Sequence, residues 1–419
     1  MGDLLTLREE FKLKLKTFVD GTEREYRFPD TLNKIQVAIG IRRGGKTYFL
    51  FQKIIALLKD VPFTRVLYLN FEDERLYPMD QKKLGKMIDE FYTLHPENHE
   101  NLCYLFLDEI QHVEEWPRVI RRVFDSKNVK IYLTGSSAKL LSKEIATSLR
   151  GRSIPIEIWP FSFMEVLQSK KIPFPPPPFG RISLDKLQEQ LRLYIEEGGF
   201  PETLFLNPSE RSQILQDYVS VVVLRDVIER HNISNIALIR YMIKTLIKNV
   251  GCGFTVHKFH NVLKSQGFTA SKMTIHDYLE YLEDAYLLFA VPLFSESLKK
   301  TQSNPKKIYA IDTGLIRAYT MGMNQNIGHH FENLCFLELK RKGHQIHYYL
   351  TETRKEVDFL SLDLFGKWHL YQVSWDTTDS ETEERERLAL EEAEKELGMK
   401  GMLITPTSYF TSFLPNLQH

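Results

Sequence analysis

The chain has 419 residues, 43% hydrophobic and 26% charged, a composition that excludes disordered, collagenous and coiled-coil architectures and predicts two or three domains with packed cores. Lys+Arg and Asp+Glu each number 55, so the formal charge is zero, and a nucleic-acid or membrane partner would need a local patch rather than the field of the whole protein. Cys103, Cys252 and Cys335 are odd in number and far apart, which argues against a disulfide framework or a CxxC zinc site and leads us to expect a reducing, cytoplasmic compartment.

In chain order, the opening MGDLLTLREEFKLKLKTFVD mixes charges into its apolar positions, and no apolar run reaches about 18 residues, so neither signal peptide nor membrane span is expected. Residues 34–41 (KIQVAIGI) read as a buried strand, and 47–58 (TYFLFQKIIALL) carry helical spacing. Further strands are expected at 65–71 (RVLYLNF), 102–107 (LCYLFL) and 129–133 (VKIYL). Strands alternating with crossover helices predict an α/β fold with a parallel sheet covered on both faces. The run 172–178 (IPFPPPP) cannot be helix or central strand, because consecutive prolines remove donors and fix φ; it reads as an extended linker.

Beyond it, 184–197 and 211–230 read as amphipathic helices around the turn GGFPE (198–202), a helical lid. Residues 235–290 hold three helical segments, with Ser271 as an N-cap and Leu279 and Leu282 in an apolar stripe. From about 327 a helix (331–342), strands around HYYL, EVDFLSL and WHLYQVSW, and an acidic helix (380–397) predict a separate α/β unit. The expected domains are thus 1–180, 181–232, 233–300 and 301–419.

Gly40-Ile-Arg-Arg-Gly-Gly45-Lys46-Thr47 satisfies G-x-x-x-x-G-K-S/T between a strand and a helix, the context that a phosphate-binding loop requires. Glycines let backbone N–H groups turn inward, and the helix start adds its positive end. Gly40, Arg42, Arg43, Gly44, Gly45, Lys46, Thr47 and Tyr48 are therefore the candidate nucleotide-binding residues. Lys46 is expected on the β and γ phosphates, and the Thr47 hydroxyl on Mg2+, which keeps most of its waters and needs only one or two protein oxygens.

Asp108 and Glu109 end a predicted buried strand as a Walker B pair. Asp108 is expected in the Mg2+ shell and Glu109 as the base that orients and deprotonates the attacking water. A solvated turn is the ordinary reading of Asp-Glu alone; the upstream loop argues for chemistry. Thr134-Gly-Ser136-Ser137 closes the fourth strand, where Ser136 or Ser137 could contact the γ-phosphate, cap a helix, or do both. Arg150 and Arg152 offer guanidinium groups for an arginine finger or for surface ion pairs. The catalytic candidates are Glu109, Lys46, Ser136 or Ser137, and Arg150 or Arg152.

Together GIRRGGKT, YLNFEDERL, LFLDEIQHVEEW, LTGSSAKLLS, LRGRSIPIEIWPFSFMEV and GGFPE resemble the prokaryotic AAA-type P-loop ATPases that pair an AAA_14 domain with a DUF4143 region. The resemblance spans nearly the whole chain. It implies nucleotide binding at Lys46-Thr47, a Walker B pair at Asp108-Glu109, a sensor at Ser136 or Ser137, and a finger or sensor at Arg152. It also implies a winged-helix-like module at 235–295. Residues 251–300 hold five Lys/Arg and five Asp/Glu, and Asp277, Glu280, Glu283 and Asp284 follow Ser271. Counterion release supplies most DNA affinity, so this charge pattern favours protein or interdomain packing over DNA.

At the C-terminal side, Glu332, Asp358 and Gln372-Val373-Ser374 resemble, in order, the elements of a PD-(D/E)xK nuclease. The last acid is Gln372 and the lysine position is Ser374, so both charge and ammonium are lost. An inactive nuclease-like domain is expected, although Lys355 or Glu356 could restore a site by migration. His329, His330, His344 and His347 match no familiar ligand spacing, and the aromatic residues read as core. The expectation is a cytoplasmic, Mg2+-dependent ATPase, oligomeric if its finger acts in trans, whose nucleotide state repositions a C-terminal protein- or DNA-binding region. A weakly hydrolysing DNA-binding switch and an active Mg2+ endonuclease are the alternatives.

Overall fold

The structure is a computed structural model that describes residues 2–18, 21–29, 33–136, 149, 151–295, 304–320, 326–376 and 380–414. The chain divides into two compact units, residues 1–159 and 160–419.

Unit 1 is built on a five-stranded sheet. Its strands are β1 (Ile35–Ile39), β2 (Val66–Asn70), β4 (Cys103–Asp108), β6 (Val129–Gly135) and β7 (Ser153–Glu157), in the order β2, β4, β6, β1, β7. Every neighbouring pair is parallel. A parallel ribbon of β3 (Met79–Asp80) and β5 (Val113–Glu114) stands beside it. The apolar runs expected as strands form β1, β2, β4 and β6. β7, which that reading missed, is an edge strand holding Pro155 opposite Val37, a position where a missing backbone donor is tolerated.

Helices α1 (Gly2–Lys16) and α2 (Lys46–Leu57) cover part of the sheet; α3 (Gln81–Leu94) and α4 (Trp116–Ser126) are further α-helices of this unit. Phe11, Phe51, Ile54, Tyr68, Phe106 and Tyr132 share one buried cluster, each large apolar side chain contributing about 1.5–3 kcal/mol on burial. Because Leu107 pairs with Leu133, and Leu133 with Val37, the carboxyl ends of β1, β4 and β6 emerge side by side. In a parallel sheet this edge is where loops gather around a ligand.

Unit 2 begins at Pro160 rather than near 180. The reason is local: α5 (Phe163–Ser169) starts in a capping box of Ser162 and Glu165, and Phe161 accepts from the Tyr194 hydroxyl at 2.6 Å while donating its N–H to Gly199 O at 2.7 Å. Residues 160–169 therefore belong with α6 (Arg181–Glu197). α7 (Pro208–Val222) runs into a π-helical turn at Val223–Ile228. α8 (Ile236–Lys248), α9 (Val256–Ser265) and α10 (Lys272–Asp284) follow, and Ser271 Oγ caps α10 by accepting from Thr274 N–H at 3.0 Å.

An antiparallel sheet places β10 (Lys306–Ala310) between β8 (Gly253–Phe254) and β9 (Leu288–Val291). After α11 (Thr313–Thr320) and α12 (Ile327–Arg341) comes a four-stranded sheet, β11 (Gln345–Leu350), β12 (Glu356–Leu362), β13 (Trp368–Val373) and β14 (Gly401–Ile404), in chain order. β13 and β14 pair in parallel around the acidic helix α13 (Ser380–Leu397).

Candidate nucleotide site

The loop between β1 and α2 has the backbone of an anion cradle. Gly40 has φ 149°, Arg43 φ 64° and Gly45 φ 96°. A Cβ on Gly40 would lie 2.1 Å from the Ile158 carbonyl oxygen, so glycine is required by contact as well as by φ. Arg24, which sequence reasoning missed, braces the loop: its guanidinium donates to Gly44 O at 2.9 Å and to Trp159 O at 2.6 Å, and it is buried.

Lys46 Nζ donates to Gly40 O and Ile41 O, each at 3.1 Å, and lies 3.5 Å from Glu109 Oε1. Arg42 pairs with Glu72 at 2.7 Å, and Arg43 is exposed. Tyr48 packs its ring on Phe18, centroids 4.5 Å apart, with its hydroxyl against Gly21.

Asp108 is fully buried. It accepts hydrogen bonds from Thr47, from the Tyr68 hydroxyl at 2.9 Å, and from Thr134 Oγ1. Burial, followed by the charge of Glu109, raises its pKa, while the Thr134, Thr47 and Tyr68 hydroxyls oppose the rise. Thr134 Oγ1 also accepts the Glu109 N–H at 2.8 Å, so one hydroxyl fixes both members of the acid pair. This follows from register, since Leu107 opposite Leu133 sets Asp108 beside Thr134.

Glu109 has φ 54° and is buried. Burial works against its charge, but Lys46, the Gln111 amide and Arg42 outweigh it and hold the carboxyl below its usual range. Gln111 Nε2 donates to Glu109 Oε2 and lies 3.5 Å from Ser136 Oγ, which links the sensor candidate to the acid. Glu72, Glu109 and His112 bring ligand atoms within 4.8 Å of one another on the same rim.

The donor set suits a magnesium nucleotide. A hydroxyl and a carboxylate, Thr47 and Asp108, meet as hard oxygen ligands, beside a buried ammonium whose nearest acceptors are the loop's own carbonyls. Gly40, Lys46, Thr47, Asp108, Glu109 and Ser136 thus converge.

Arg152 does not join them. Its carbonyl accepts the Ile35 N–H at 2.7 Å, at the start of β1, and its Nε binds Asp125 at 2.9 Å. β1 spans five residues, or about 16 Å at strand rise, so this arginine lies at the opposite edge of the sheet from the phosphate loop. A finger role within its own chain is corrected. Ser137 and Arg150 lie outside the described residues.

In unit 2, Glu332 and Asp358 do meet, around Lys307 Nζ, and Glu356 joins them. Gln372 turns its oxygen to the Asp358 N–H and its amide to Glu386, Ser374 donates to Asp376 O, and Lys355 pairs with Glu392. Among the described residues the four histidines form no metal-ligating group. His329 Nδ1 faces Cys252 Sγ at 3.8 Å, His344 faces Ser361 at 3.0 Å, His347 stands edge-on to Phe294, and His330 is buried.

A family model described as an AAA domain matches residues 32–167. Residues 188–326 match a domain of unknown function, DUF8612, in the stretch where the resemblance implied DUF4143. The uncharacterized protein MJ1544 of Methanocaldococcus jannaschii is 39% identical over 382 residues, 90% of this chain and 82% of its own. An uncharacterized protein of Haemophilus influenzae is 32% identical over 336 residues, 80% of either chain. Among solved structures, the Aeropyrum pernix ORC2 protein in ADPNP-ADP complexes aligns over 76% of this chain and 92% of that one, at 15% identity and a TM-score of 0.37. The chain belongs to the AAA-type P-loop proteins, in one family with MJ1544.

Proposed function

We propose that unit 1 binds ATP with Mg2+ and hydrolyses it. The observation that carries this reading is the meeting of Thr47 with Asp108 and of Lys46 with Glu109 beneath a glycine cradle at the carboxyl edge of the sheet. Lys46 leaves the loop carbonyls for the β and γ phosphates, and Thr47 and Asp108 hold the metal. Bound Mg2+ supplies neutralisation of charge on the β and γ oxygens. Glu109, kept ionised by Lys46, Gln111 and Arg42, takes the proton of the attacking water. Ser136, within reach of Gln111, is the candidate contact for the γ-phosphate.

Nucleotide state is coupled to a partner-binding region in the C-terminal half, within which α8, α9, α10 and the β8–β10–β9 sheet form a winged-helix-like module. Asp277, Glu280, Glu283 and Asp284 on α10 favour a protein partner over DNA, because acids there repel phosphates. Gel shifts at low salt that retain DNA, with affinity falling steeply as salt rises, would reverse that preference. No helix among the described residues is long and apolar enough to cross a membrane.

The test of the hydrolytic reading is Glu109→Gln. The variant should bind ATP and release phosphate more slowly by about 100-fold or more; undiminished turnover would take Glu109 out of this role.

A further inference from the structure

Unit 2 holds a second buried ionic cluster that the ATPase reading does not use. Lys307 sits on the central strand β10, paired with Gly253 on one side and Val291 on the other. It reaches into the four-stranded unit, where its Nζ lies 2.6 Å from Glu332 Oε1, 2.9 Å from Glu356 Oε1 and 2.9 Å from Asp358 Oδ1. Its side chain is 3% exposed. A cavity of about 500 Å³ opens in front, lined also by Gln372 and Ser374.

The acids are committed to donors of the chain itself. Tyr309, two residues along the same face of β10, donates its hydroxyl to Glu332 Oε1 at 2.6 Å. Asp358 gives Oδ1 to Lys307 and accepts the Val373 N–H on Oδ2 at 2.9 Å. The Gln372 carbonyl, the one neutral oxygen at the position of the third acid, is turned to the Asp358 N–H at 3.2 Å. A divalent ion bound by these groups would have to displace a buried ammonium that already makes three ionic contacts. Burial works against the charge on Lys307, but Asp358 and Glu332 more than reverse it, so the ammonium persists.

We propose that Lys307 is the resident cation of this cluster, taking the place that a divalent metal ion holds in a metal-dependent nuclease core. Glu332, Glu356 and Asp358 thereby serve to anchor strand β10 to α12 and β12 rather than to carry metal chemistry. Removing the ammonium leaves three facing carboxyl groups without a counter-charge, in a space that opens to water. That arrangement is a latent site for a hard divalent ion.

The test uses the full nucleotide-free chain and Mn2+ alone, by calorimetry and by thermal melting, on wild type, Lys307→Ala, Asp358→Asn and the double variant. Any Mn2+ held weakly by unit 1 is common to all four. Lys307→Ala should bind one Mn2+ more than wild type, about tenfold or more tighter than the double variant, a span expected when one acid leaves a carboxylate site. Its melting temperature should rise with Mn2+ by clearly more than that of wild type, whose rise should match that of Asp358→Asn. Should the alanine chain not purify folded, Lys307→Ser carries the same comparison. Wild type that binds a Mn2+ lost in Asp358→Asn would overturn the proposal, and so would a folded Lys307→Ala or Lys307→Ser chain that gains none.

Discussion

The ammonium of Lys46 lies 3.5 Å from the carboxylate of Glu109, with both residues buried. A nucleotide arriving at the loop therefore competes with a pre-existing ion pair for the lysine. Replacing Glu109 by Gln removes the competitor together with one negative charge near the triphosphate. Titration of a fluorescent ATP analogue should give equal or tighter binding, while phosphate release falls about 100-fold or more, the range of a lost general base.

Thr134 bridges the acid pair, donating to Asp108 and accepting from Glu109 N–H. Thr134→Val keeps the shape and removes both bonds. The buried carboxylate and amide then lose a partner, at about 1–3 kcal/mol of stability, and kcat should fall by about tenfold or more because Glu109 is no longer fixed. Thr134→Ser should restore most of both. Tyr68→Phe removes a single bond to Asp108 and should cost about 1 kcal/mol. Chemical denaturation with steady-state kinetics on the same samples checks all three.

Gly40→Ala places a methyl group 2.1 Å from the Ile158 carbonyl oxygen at φ 149°. Either the loop or β7 must move, so nucleotide affinity should fall beyond detection even in chains that fold, with a stability loss of about 2 kcal/mol or more from strain. Binding calorimetry and thermal melting separate the two effects.

The phosphate loop and the strands β1, β2, β4 and β6 were legible in the sequence because their signals are local: apolar runs, a glycine turn and a helix start. The helices α10 and α13 were legible for the same reason, through a cap and a charge pattern. What stayed hidden depends on register between distant segments. Tyr68 and Thr134 stand 40 and 26 residues from Asp108, and only the alignment of β2, β4 and β6 joins them. β7 reads SIPIE, in which Ile154 and Ile156 alternate with Ser153, Pro155 and Glu157, but a proline in the middle of so short a run argues against a strand unless it lies at a sheet edge. Lys307 is the second residue of the strand KKIYA and looks like a solvated charge until Glu332 and Asp358 arrive from two other elements. Arg152 misled in the other direction: it directly precedes β7, and only once that strand and its parallel pairing with β1 are known does the arginine fall at the amino edge of the sheet.

Asp312 sets a pH dependence in unit 2. Its carboxylate accepts Gly199 N–H at 2.6 Å and Leu315 N–H at 3.2 Å, yet complete burial outweighs these bonds and lifts its pKa to about 6 from 3.8. Between those values the folded chain holds a proton that the unfolded chain has lost. Stability from this group is therefore full below about pH 4 and declines by about 3 kcal/mol as pH rises through 6. His330, lowered to about 4 by burial first and then by His329 and Arg317, acts in the opposite sense. The contrast with Asp312→Asn isolates the aspartate: urea denaturation from pH 4 to 7 should show wild type losing stability relative to the variant as pH rises, and parallel curves would remove Asp312 from this role.

The most direct measurement is calorimetric titration of magnesium ATP into the full wild-type chain and into Lys46→Ala, both shown folded by circular dichroism. Wild type should bind one nucleotide per chain and the variant none. Equal heats in the two proteins, or no heat from wild type at about millimolar nucleotide, the weak limit of the affinity scale, would contradict nucleotide binding at the Gly40–Thr47 loop.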